Sequence, residues 1–417
     1  MEGAPEDPRR ALLLDLYRVA LSAVDSRRRM RAALASDHDQ GPSSILAIGK
    51  AAPGMAMGAL DVLGKRLEHG LVIAPGGAFS PELLADPRVT CLAGGHPLPD
   101  EQSLAAGKAL HAFARAVPRG SGVLLLISGG ASALVELPAP GVTLADLRRL
   151  NSWAQTAGID IVTLNAMRGA LSLIKAGRLP GLFAGAELDG FLISDVPGDD
   201  PAIVGSGLLA ASSGMPLTAA WPDWLVELAA RAAPGPATAA VRKVTLVACL
   251  SDALDAAERA ARSHGLSVLR KATRLAGDAE AAARNICHEL AVADEVLQLW
   301  GGETVVKLPA STGRGGRCQH LALAAAQHIE GHAEFVVLAA GTDGRDGNSE
   351  DAGAIVDGET LQRARVTGYD AARSLATADA GRLLEAAGDL VHTGPTGTNV
   401  GDLVMAARIE PNLARAL

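Results

Sequence analysis

The chain has 417 residues, a hydrophobic fraction of 48% and an aromatic fraction of 3%, which indicates two or three globular domains and argues against a disordered chain. Its formal net charge of −8, without any basic stripe, argues against nucleic acid as a partner. No apolar run approaches the roughly 18 residues of a membrane span, and residues 1–10 contain no apolar signal core.

Strands and helices alternate along the first half of the chain. Apolar residues at helical spacing predict helices over 11–36, 51–60, 101–116, 144–157 and 161–175, with Asp100 as the cap of the third. Short apolar runs predict strands at 44–48, 71–74, 89–93, 124–127 and 191–193. This alternation predicts a parallel, doubly wound sheet whose ligand lies beyond the carboxyl ends of the strands.

The alternation resumes after an Ala- and Pro-rich linker at 232–240. Strands are predicted at 244–248, 267–269, 295–299 and 334–339, with a short extended segment at 305–308, and helices at 253–264, 277–292 and 319–329. The prediction is therefore a two-domain α/β protein. Its doubly wound N-terminal domain spans 1–236, and a smaller α/β domain spans 243–417.

The predicted strand at 124–127 runs into a loop that contains Ser128, Gly129, Gly130 and Ser132. Glycines let the backbone turn and approach a ligand, and hydroxyl and N–H groups can then bind an anion. A plain glycine-rich turn between a strand and a helix is the alternative. The same design recurs at several strand ends, which favours the anion-binding loop.

Three cationic side chains follow glycines at predicted helix starts. Lys50 opposes the positive end of a helix dipole, which is unfavourable unless an anion binds nearby. Arg314 and Arg317 belong to the run Gly313–Arg317, and an arginine can hold a phosphate or carboxylate through two parallel hydrogen bonds. Solvated surface positions are the alternative for all three.

Two acidic loops follow predicted strands. One contains Asp195, and the other begins at Asp343. Such carboxylates suit Mg²⁺ together with substrate phosphates, although they can equally cap helices or bind ribose hydroxyls. His96 could polarise a substrate group or bond to the backbone, and the hydroxyl-rich segment 393–399 could line a polar ligand or form a turn.

Cationic loops, anion-binding loops and acidic loops together suggest phosphoryl transfer, in which positioning and charge neutralisation dominate catalysis. The four cysteines, Cys91, Cys249, Cys287 and Cys318, form no C-x-x-C pair, which argues against a zinc site and fits a reducing cytoplasm. On helix position alone, Ser172, Lys175 and Arg178 are expected to be solvated.

Seven segments, in order along the chain, resemble the class II glycerate kinases, a family that joins a Rossmann-like kinase domain to a domain called MOFRL. The segments are Ala47–Ala52, Gly94–Pro97, Ile127–Leu134, Ile193–Pro201, Gly313–Arg317, Ala340–Gly344 and Thr393–Val400. The resemblance implies ATP-dependent phosphorylation of D-glycerate to 2-phosphoglycerate with Mg²⁺. It places the catalytic cations at Lys50 and Arg317.

Substrate or phosphate contacts are expected from Ser128, Gly129, Gly130, Ser132, His96 and Arg314, nucleotide contacts from Asp195, Thr396, Thr398 and Asn399, and metal contacts from Asp195 and Asp343. Glycerate and ATP are the expected partners, in the cytoplasm, without nucleic acid or membrane, and a homodimer is left open.

Two alternatives remain at this point. Family members are often labelled hydroxypyruvate reductases, but the early strands lack the G-x-G-x-x-G turn of an NAD(P)H enzyme. The chain also departs from the family, with Cys318-Gln319-His320 in place of Asn-Gln-Glu and Gly169-Ala170 in place of Lys-His after Arg168. These departures leave room for a catalytically impaired nucleotide-binding homologue.

Overall fold

The computed structural model describes residues 7–35, 43–211, 221–309 and 311–410. The chain divides into two compact units. We call Asp25–Cys249 with Gly397–Asn399 the parallel-sheet unit, and Met1–Val24, Leu250–Thr396 and Val400–Leu417 the mixed-sheet unit. Within the described residues, no helix is both long and apolar enough to cross a membrane.

The parallel-sheet unit contains six strands that all run in the same direction. The strands are β1 (Ser43–Ile48), β2 (Leu67–Pro75), β3 (Val89–Gly94), β4 (Gly122–Ser128), β5 (Glu187–Ile193) and β6 (Lys243–Ala248). The helices are α2 (Ser26–Ala35), α3 (Ala52–Leu63), α4 (Pro81–Leu84), α5 (Glu101–Ala116), α6 (Ala131–Leu134), α7 (Leu144–Ala157), α8 (Ile161–Ala170) and α9 (Asp223–Ala232). Short 3₁₀ turns cover Gly64–Arg66, Leu179–Leu182, Pro197–Asp199 and Val204–Ser206.

The strand order is β3-β2-β1-β4-β5-β6, which is that of a doubly wound dinucleotide-binding sheet. The order reverses between β1 and β4, which pair along their whole length from Ser43 to Ile48. β4 is buried on both faces because its apolar side chains face helical layers on either side of the sheet. A crevice for a ligand is expected at such a reversal, beyond the carboxyl ends of the two strands.

The mixed-sheet unit has a second six-stranded sheet, in the order β11-β10-β9-β12-β8-β7. Its strands are β7 (Val268–Arg270), β8 (Leu297–Gly302), β9 (Phe335–Gly341), β10 (Gly353–Asp357), β11 (Leu390–Val391) and β12 (Asp402–Arg408). Its helices are α1 (Pro8–Ala23), α10 (Leu250–Ser263), α11 (Ala279–Val292), α12 (Arg317–Ile329), α13 (Thr360–Val366), α14 (Ala371–Ala376) and α15 (Ala380–Ala387). Among the strands described for this sheet, only β7 and β8 pair in parallel.

Small side chains build the core of the mixed-sheet unit. Helix α12 is buried on nearly every side, and its run from Ala322 to Ala326 packs between α11 and the sheet. Alanine lets a helix approach its neighbours closely and has the best helix propensity of any residue. The low aromatic content of the chain is therefore compatible with dense packing.

Most predicted elements are present, and the two-domain α/β architecture is confirmed. The predicted helix over 11–36 is wrong, because it is two helices that separate at Val24 and Asp25. The predicted helix over 161–175 ends at Ala170. The segment 305–308 contributes only an isolated bridge at Val305, and the antiparallel strands β10 and β12 were not predicted.

The two units also differ from the predicted spans 1–236 and 243–417. Strand β6 pairs with β5, so the parallel-sheet unit continues beyond the linker. Helix α1 belongs to the mixed-sheet unit because Arg10 forms ion pairs with Asp357 and Asp389 and the Tyr17 hydroxyl donates to the Gly341 carbonyl at 2.6 Å. No local pattern in the sequence reports such long-range contacts.

Candidate active site

Two loops of the parallel-sheet unit are joined where β1 and β4 end. The Lys50 amide donates to the Gly129 carbonyl at 2.9 Å, and the Ala51 amide donates to the buried Ser128 hydroxyl at 3.1 Å. Gly49 has φ +131°, and a Cβ there would lie 2.2 Å from the Ser128 Oγ, so only glycine fits. Ser128 thus accepts a hydrogen bond inside the loop pair and holds Lys50 beside the glycines.

The two glycines after Ser128 allow several functional side chains to approach one another. A Cβ at Gly130 would lie 3.1 Å from the Lys50 Cγ and 3.4 Å from the His96 Cδ2. Gly130 has φ +84° and precedes α6. The structure therefore brings together Lys50, His96 and the glycine loop, all predicted as site residues. We call them the Lys50 cluster.

Gly129 provides the space for an acidic side chain of the same unit. A Cβ on Gly129 would lie 1.7 Å from the Asp195 Oδ2, so any larger residue would displace that carboxylate. The Asn399 side-chain amide donates to the same Asp195 oxygen at 2.8 Å. Asp195 and Asn399 therefore adjoin the Lys50 cluster, although 204 residues separate them in the chain. Thr398 is buried in the same three-residue segment.

Ser132 lies at the start of α6, where its Oγ is 2.7 Å from the Ser206 Oγ. The Ser206 hydroxyl donates to the Asn165 Oδ1 at 2.9 Å. Because that bond uses the only Ser206 hydroxyl proton, Ser132 must donate to Ser206, and its remaining lone pairs can only accept. Ser132 is thus available to a ligand as a hydrogen-bond acceptor.

In the mixed-sheet unit, Arg317 begins α12 and is bound by two carboxylates. Its Nε and Nη2 donate to the two Asp402 oxygens at 2.5 and 3.0 Å, and its Nη2 lies 3.0 Å from the Glu303 Oε1. Burial by itself would lower the pKa of Arg317, but the Asp402 charge outweighs it and raises that pKa. Arg317 is thus permanently charged and held in one orientation.

Asp346 caps the helix that begins at Arg317. Its two oxygens accept the backbone N–H groups of Cys318 and Gln319 at 3.1 and 2.7 Å. Burial raises the pKa of Asp346 to about 7, with a further contribution from the nearby Asp402 charge, although the two N–H groups favour the ionised form. The first helical amides of α12 are therefore occupied by a carboxylate of the protein.

The Gly313–Arg317 run, predicted to supply anion-binding arginines, is held by side chains of the protein. The Arg314 amide donates to the Asp379 Oδ1 and the Gly315 amide to the Asn348 Oδ1. The Arg314 guanidinium bonds to Glu385 and Asp351 at 2.9 and 3.1 Å. Acidic and amide side chains therefore fix the loop, and a substrate contact from Arg314 stays a prediction.

Asp343 lies beside the Arg317 ion pair. The Asp343 Oδ1 and the Asp402 Oδ1 are each 3.3 Å from the position that a Cβ on Gly341 would occupy. The Thr396 hydroxyl donates to the Thr342 carbonyl in the neighbouring loop. Among the described residues, no group of three or more His, Cys, Asp or Glu side chains has the geometry of a metal site.

Two of the residues that depart from the family pattern, Cys318 and His320, lie in the first turn of α12. The Cys318 thiol is buried against Asp402, and burial raises its pKa well above the ordinary value, so it stays protonated. The buried His320 Nε2 lies 3.2 Å from the Glu280 Oε1 on α11. Cys318 therefore contacts the Arg317 ion pair through Asp402, whereas His320 links two packed helices.

Sequence reasoning missed three groups that the structure makes prominent: Asp402, Glu303 and the buried pair of Lys175 and Glu136. Asp402 lies just beyond the hydroxyl-rich segment at 393–399, and a carboxylate so close to it was an available signal. Lys175 contradicts the expectation of a solvated residue, because the chain leaves helix α8 at Ala170 and turns inward.

All four cysteines lie in the described part of the chain, and no disulfide joins them.

Models of two protein families match the chain: "Domain of unknown function (DUF4147)" over residues 12–220 and the "MOFRL family" over residues 296–402. The two matches fall in the same order as the predicted domains.

Relatives and a solved structure extend this similarity over most of the chain. The D-glycerate 2-kinase of Thermotoga maritima is 33% identical over 387 residues, covering 87% of this chain and 89% of the relative. A putative hydroxypyruvate reductase of Agrobacterium vitis is 35% identical over 382 residues, which cover 86% of this chain and 97% of that relative. The crystal structure of glycerate kinase from T. maritima matches with a TM-score of 0.81 at 29% identity, and the match covers 96% of this chain and 99% of that structure's chain. The chain therefore belongs to the MOFRL family of class II glycerate kinases, as its motifs had indicated.

Proposed function

We propose that this protein is an ATP-dependent kinase that phosphorylates D-glycerate at its 2-hydroxyl group. The observation that carries the proposal is the Lys50 cluster, which lies where the order of the parallel sheet reverses. The names of the T. maritima relative and of the matching crystal structure support the same activity.

In this proposal, Lys50 neutralises negative charge on the phosphoryl group that is transferred. The ammonium group is delivered by a loop whose backbone is fixed to Gly129 at 2.9 Å, so little reorganisation is needed when charge develops. Gly129 and Gly130 are proposed to contact the substrate through their backbone, and His96 adds a polar group beside Gly130. A loose transition state needs such positioning more than it needs a strong general base.

Arg317 is the second proposed catalytic cation. Its bidentate pairing with Asp402 holds the guanidinium plane in one orientation, which suits recognition of phosphate oxygens. Asp195, Thr396, Thr398 and Asn399 are proposed to contact the nucleotide. The acceptor capacity of Ser132 suits a hydroxyl group of the substrate, and Arg314 is proposed to act in substrate binding through the loop that it stabilises.

Kinase chemistry implies Mg²⁺, a hard cation that prefers oxygen ligands. In the mixed-sheet unit, Asp343 and Asp402 each place a carboxylate oxygen near Gly341, and in the parallel-sheet unit Asp195 presents a carboxylate of its own beside Gly129. Mg²⁺ commonly takes one or two carboxylates and completes its shell with water and phosphate, so these residues fit. A bound Mg²⁺ would neutralise the phosphates of ATP. Asp343 and Asp195 are the proposed ligands.

The runner-up is reduction of hydroxypyruvate with NAD(P)H, which the A. vitis relative's name suggests. The first strand-to-helix turn of the sheet has the sequence Gly49-Lys50-Ala51-Ala52, which lacks the three spaced glycines of a dinucleotide-binding turn. A lysine at this position suits a phosphoryl group better than a pyrophosphate held by backbone amides.

A coupled assay separates the candidates. The protein is incubated with ATP, Mg²⁺ and either D-glycerate, L-glycerate, tartrate or hydroxypyruvate, and ADP release is recorded beside oxidation of NADH in a reaction without ATP. ADP release with D-glycerate supports the kinase. Oxidation of NADH by hydroxypyruvate without ATP would replace the proposal, and nucleotide binding without ADP release would indicate an impaired homologue.

The Lys50→Ala variant tests the role of the cation directly. Loss of one preorganised charge-stabilising group is expected to lower kcat at least about 100-fold. The control is Lys65→Ala, an exposed lysine of the same unit, which is expected to leave kcat unchanged. Normal turnover in Lys50→Ala would remove Lys50 from the mechanism.

A cytoplasmic location and a homodimer complete the proposal, and light scattering of the purified protein tests whether it is a homodimer.

A further inference from the structure

A cluster of three charged side chains lies behind the loop that contains Ser132. Glu136 and Lys175 are 2% and 1% exposed, and the Lys175 ammonium donates to the Glu136 Oε1. Arg168, at the last turn of α8, interacts electrostatically with both. It is half-buried rather than fully buried, so Arg168 is the member of the cluster that a ligand can reach.

The charges of this cluster do not balance. The Arg168 Nη2 donates to the Asn151 Oδ1 and its Nη1 lies 3.4 Å from the Asn165 Oδ1, and both acceptors are neutral amides. Burial lowers the pKa of Arg168, and the carboxylate that opposes this effect, Glu136, is already paired with Lys175. One positive charge therefore remains without a counterion among the described residues, an arrangement that favours binding of an anion.

Hydrogen bonds connect this charge to the predicted substrate loop. Ser132 donates to Ser206, and Ser206 donates to the same Asn165 oxygen that faces Arg168. Ser206 and Ala176 have φ values of +59° and +53°, a left-handed conformation that is unfavourable for residues other than glycine. The Ala176 amide donates to the Ser206 carbonyl at 3.1 Å, so the two strained residues support each other. Such strain persists where the surrounding structure requires a particular geometry.

We propose that Arg168 binds the carboxylate group of the acceptor substrate. The guanidinium offers two parallel N–H donors to the carboxylate, while Ser132 accepts a hydrogen bond from a substrate hydroxyl. A donor and an acceptor linked by one network match a hydroxy acid, which has both groups on neighbouring carbon atoms. The identity of the acid as glycerate rests on the proposed function, whereas the presence of an anion site at Arg168 does not.

The test measures binding and kinetics separately. Binding of D-glycerate, D-lactate and glycerol is measured by calorimetry without ATP, and KM values for D-glycerate and ATP are measured in the coupled assay. The variants are Arg168→Met, Arg168→Lys and the control Arg231→Met, an exposed arginine on α9 of the same helical cluster. Because Arg168→Met could fail to fold, Asn151→Asp provides an independent variant that supplies a competing carboxylate next to the guanidinium.

Arg168→Met is expected to weaken D-glycerate binding and raise its KM at least about 30-fold, the effect of losing one partner of a hydrogen-bonded charge pair. The KM for ATP should change less than about twofold. The D-glycerate affinity and KM of Arg168→Lys should lie between those of the wild type and Arg168→Met, since an ammonium group keeps the charge but not the paired donors. Asn151→Asp should weaken D-glycerate binding while the melting temperature rises or stays the same, an opposition that a purely structural role does not produce.

The outcomes separate the two proposals. Hydroxy-acid binding that depends on Arg168 in a protein that releases no ADP would leave the anion site standing and reject the kinase. Unchanged D-glycerate affinity in both Arg168→Met and Asn151→Asp would overturn the anion site. The anion site would also be overturned if Arg168→Met raised the KM values for D-glycerate and ATP equally. Equal affinity of the wild type for glycerol and D-lactate, or no binding of hydroxy acids by the wild type, would overturn it as well.

Discussion

Replacement of Asp346 by Asn tests the balance of forces at the start of α12. Burial and the Asp402 charge raise the pKa of Asp346 from 3.8 to about 7, against the two backbone N–H groups that favour the carboxylate. The folded protein therefore holds this proton more tightly than the unfolded chain does. Its contribution to stability is complete below about pH 4 and is lost as the pH rises through about 7.

The size of this effect follows from the two pKa values. Between about pH 5 and pH 8 the contribution of Asp346 to the free energy of unfolding falls by about 2.5 kcal/mol. The Asp346→Asn substitution would keep the shape of the side chain without the titration. The stability of this variant relative to the wild type is therefore expected to rise by about that amount over the same range.

Hydrogen exchange of the α12 amides, corrected for the intrinsic pH dependence of exchange, measures the opening free energy of this helix alone. Asp160→Asn is the matched control, because Asp160 also caps a helix through two backbone N–H groups but is exposed. The Thr163 hydroxyl lowers the pKa of Asp160, so this carboxylate is ionised above pH 5 in both the folded and the unfolded state. The difference in stability between Asp160→Asn and the wild type should therefore not vary with pH. If Asp346→Asn instead loses relative stability as the pH rises, the helix amides outweigh burial and the reasoning is wrong.

Three further substitutions test other parts of the structure. Lys175→Met leaves the buried Glu136 carboxylate unpaired and should cost about 3–5 kcal/mol by urea unfolding, most of it recovered when Glu136→Gln is added; a loss under about 1 kcal/mol would contradict the burial. Asp402→Asn removes one charge from the bidentate partner of Arg317 and should lower kcat, and unchanged kinetics would show that the pairing is not used. Gly130→Ala forces a side chain into φ +84° beside Lys50 and should lower kcat and reduce stability by about 1–2 kcal/mol; wild-type values of both would contradict the strain argument.

The elements of the parallel sheet could be predicted because their signals are local. Asp100 precedes a helix whose predicted and observed bounds, Glu101–Ala116, are the same, since a capping side chain and an apolar stripe act within one or two turns. The break at Val24 was missed because both flanking helices continue the apolar spacing. Strand β12 was missed because its antiparallel partners, β8 and β9, lie far away in the sequence, whereas β10 was missed although its partner β9 immediately precedes it.

The candidate site shows the same division. Glycine-rich strand ends marked Lys50 and the 128–132 loop, because the need for a positive φ or a close approach selects glycine residue by residue. The partners of the charges could not be predicted. Arg317 binds Asp402, and Lys175 binds Glu136, at separations of 85 and 39 residues, and an ion pair leaves no periodic trace in a sequence.

The α/β class, the strand-end loops and the family could be predicted from the amino-acid order, because apolar periodicity, glycine placement and motif order are all encoded along the chain. The folded structure was needed to show which carboxylate neutralises which cation and that β6 continues the first sheet. It was also needed to show that, among the described residues, Arg168 keeps a charge without a counterion. Burial and Coulomb interactions depend on distances in space, and those distances exist only after the chain has folded.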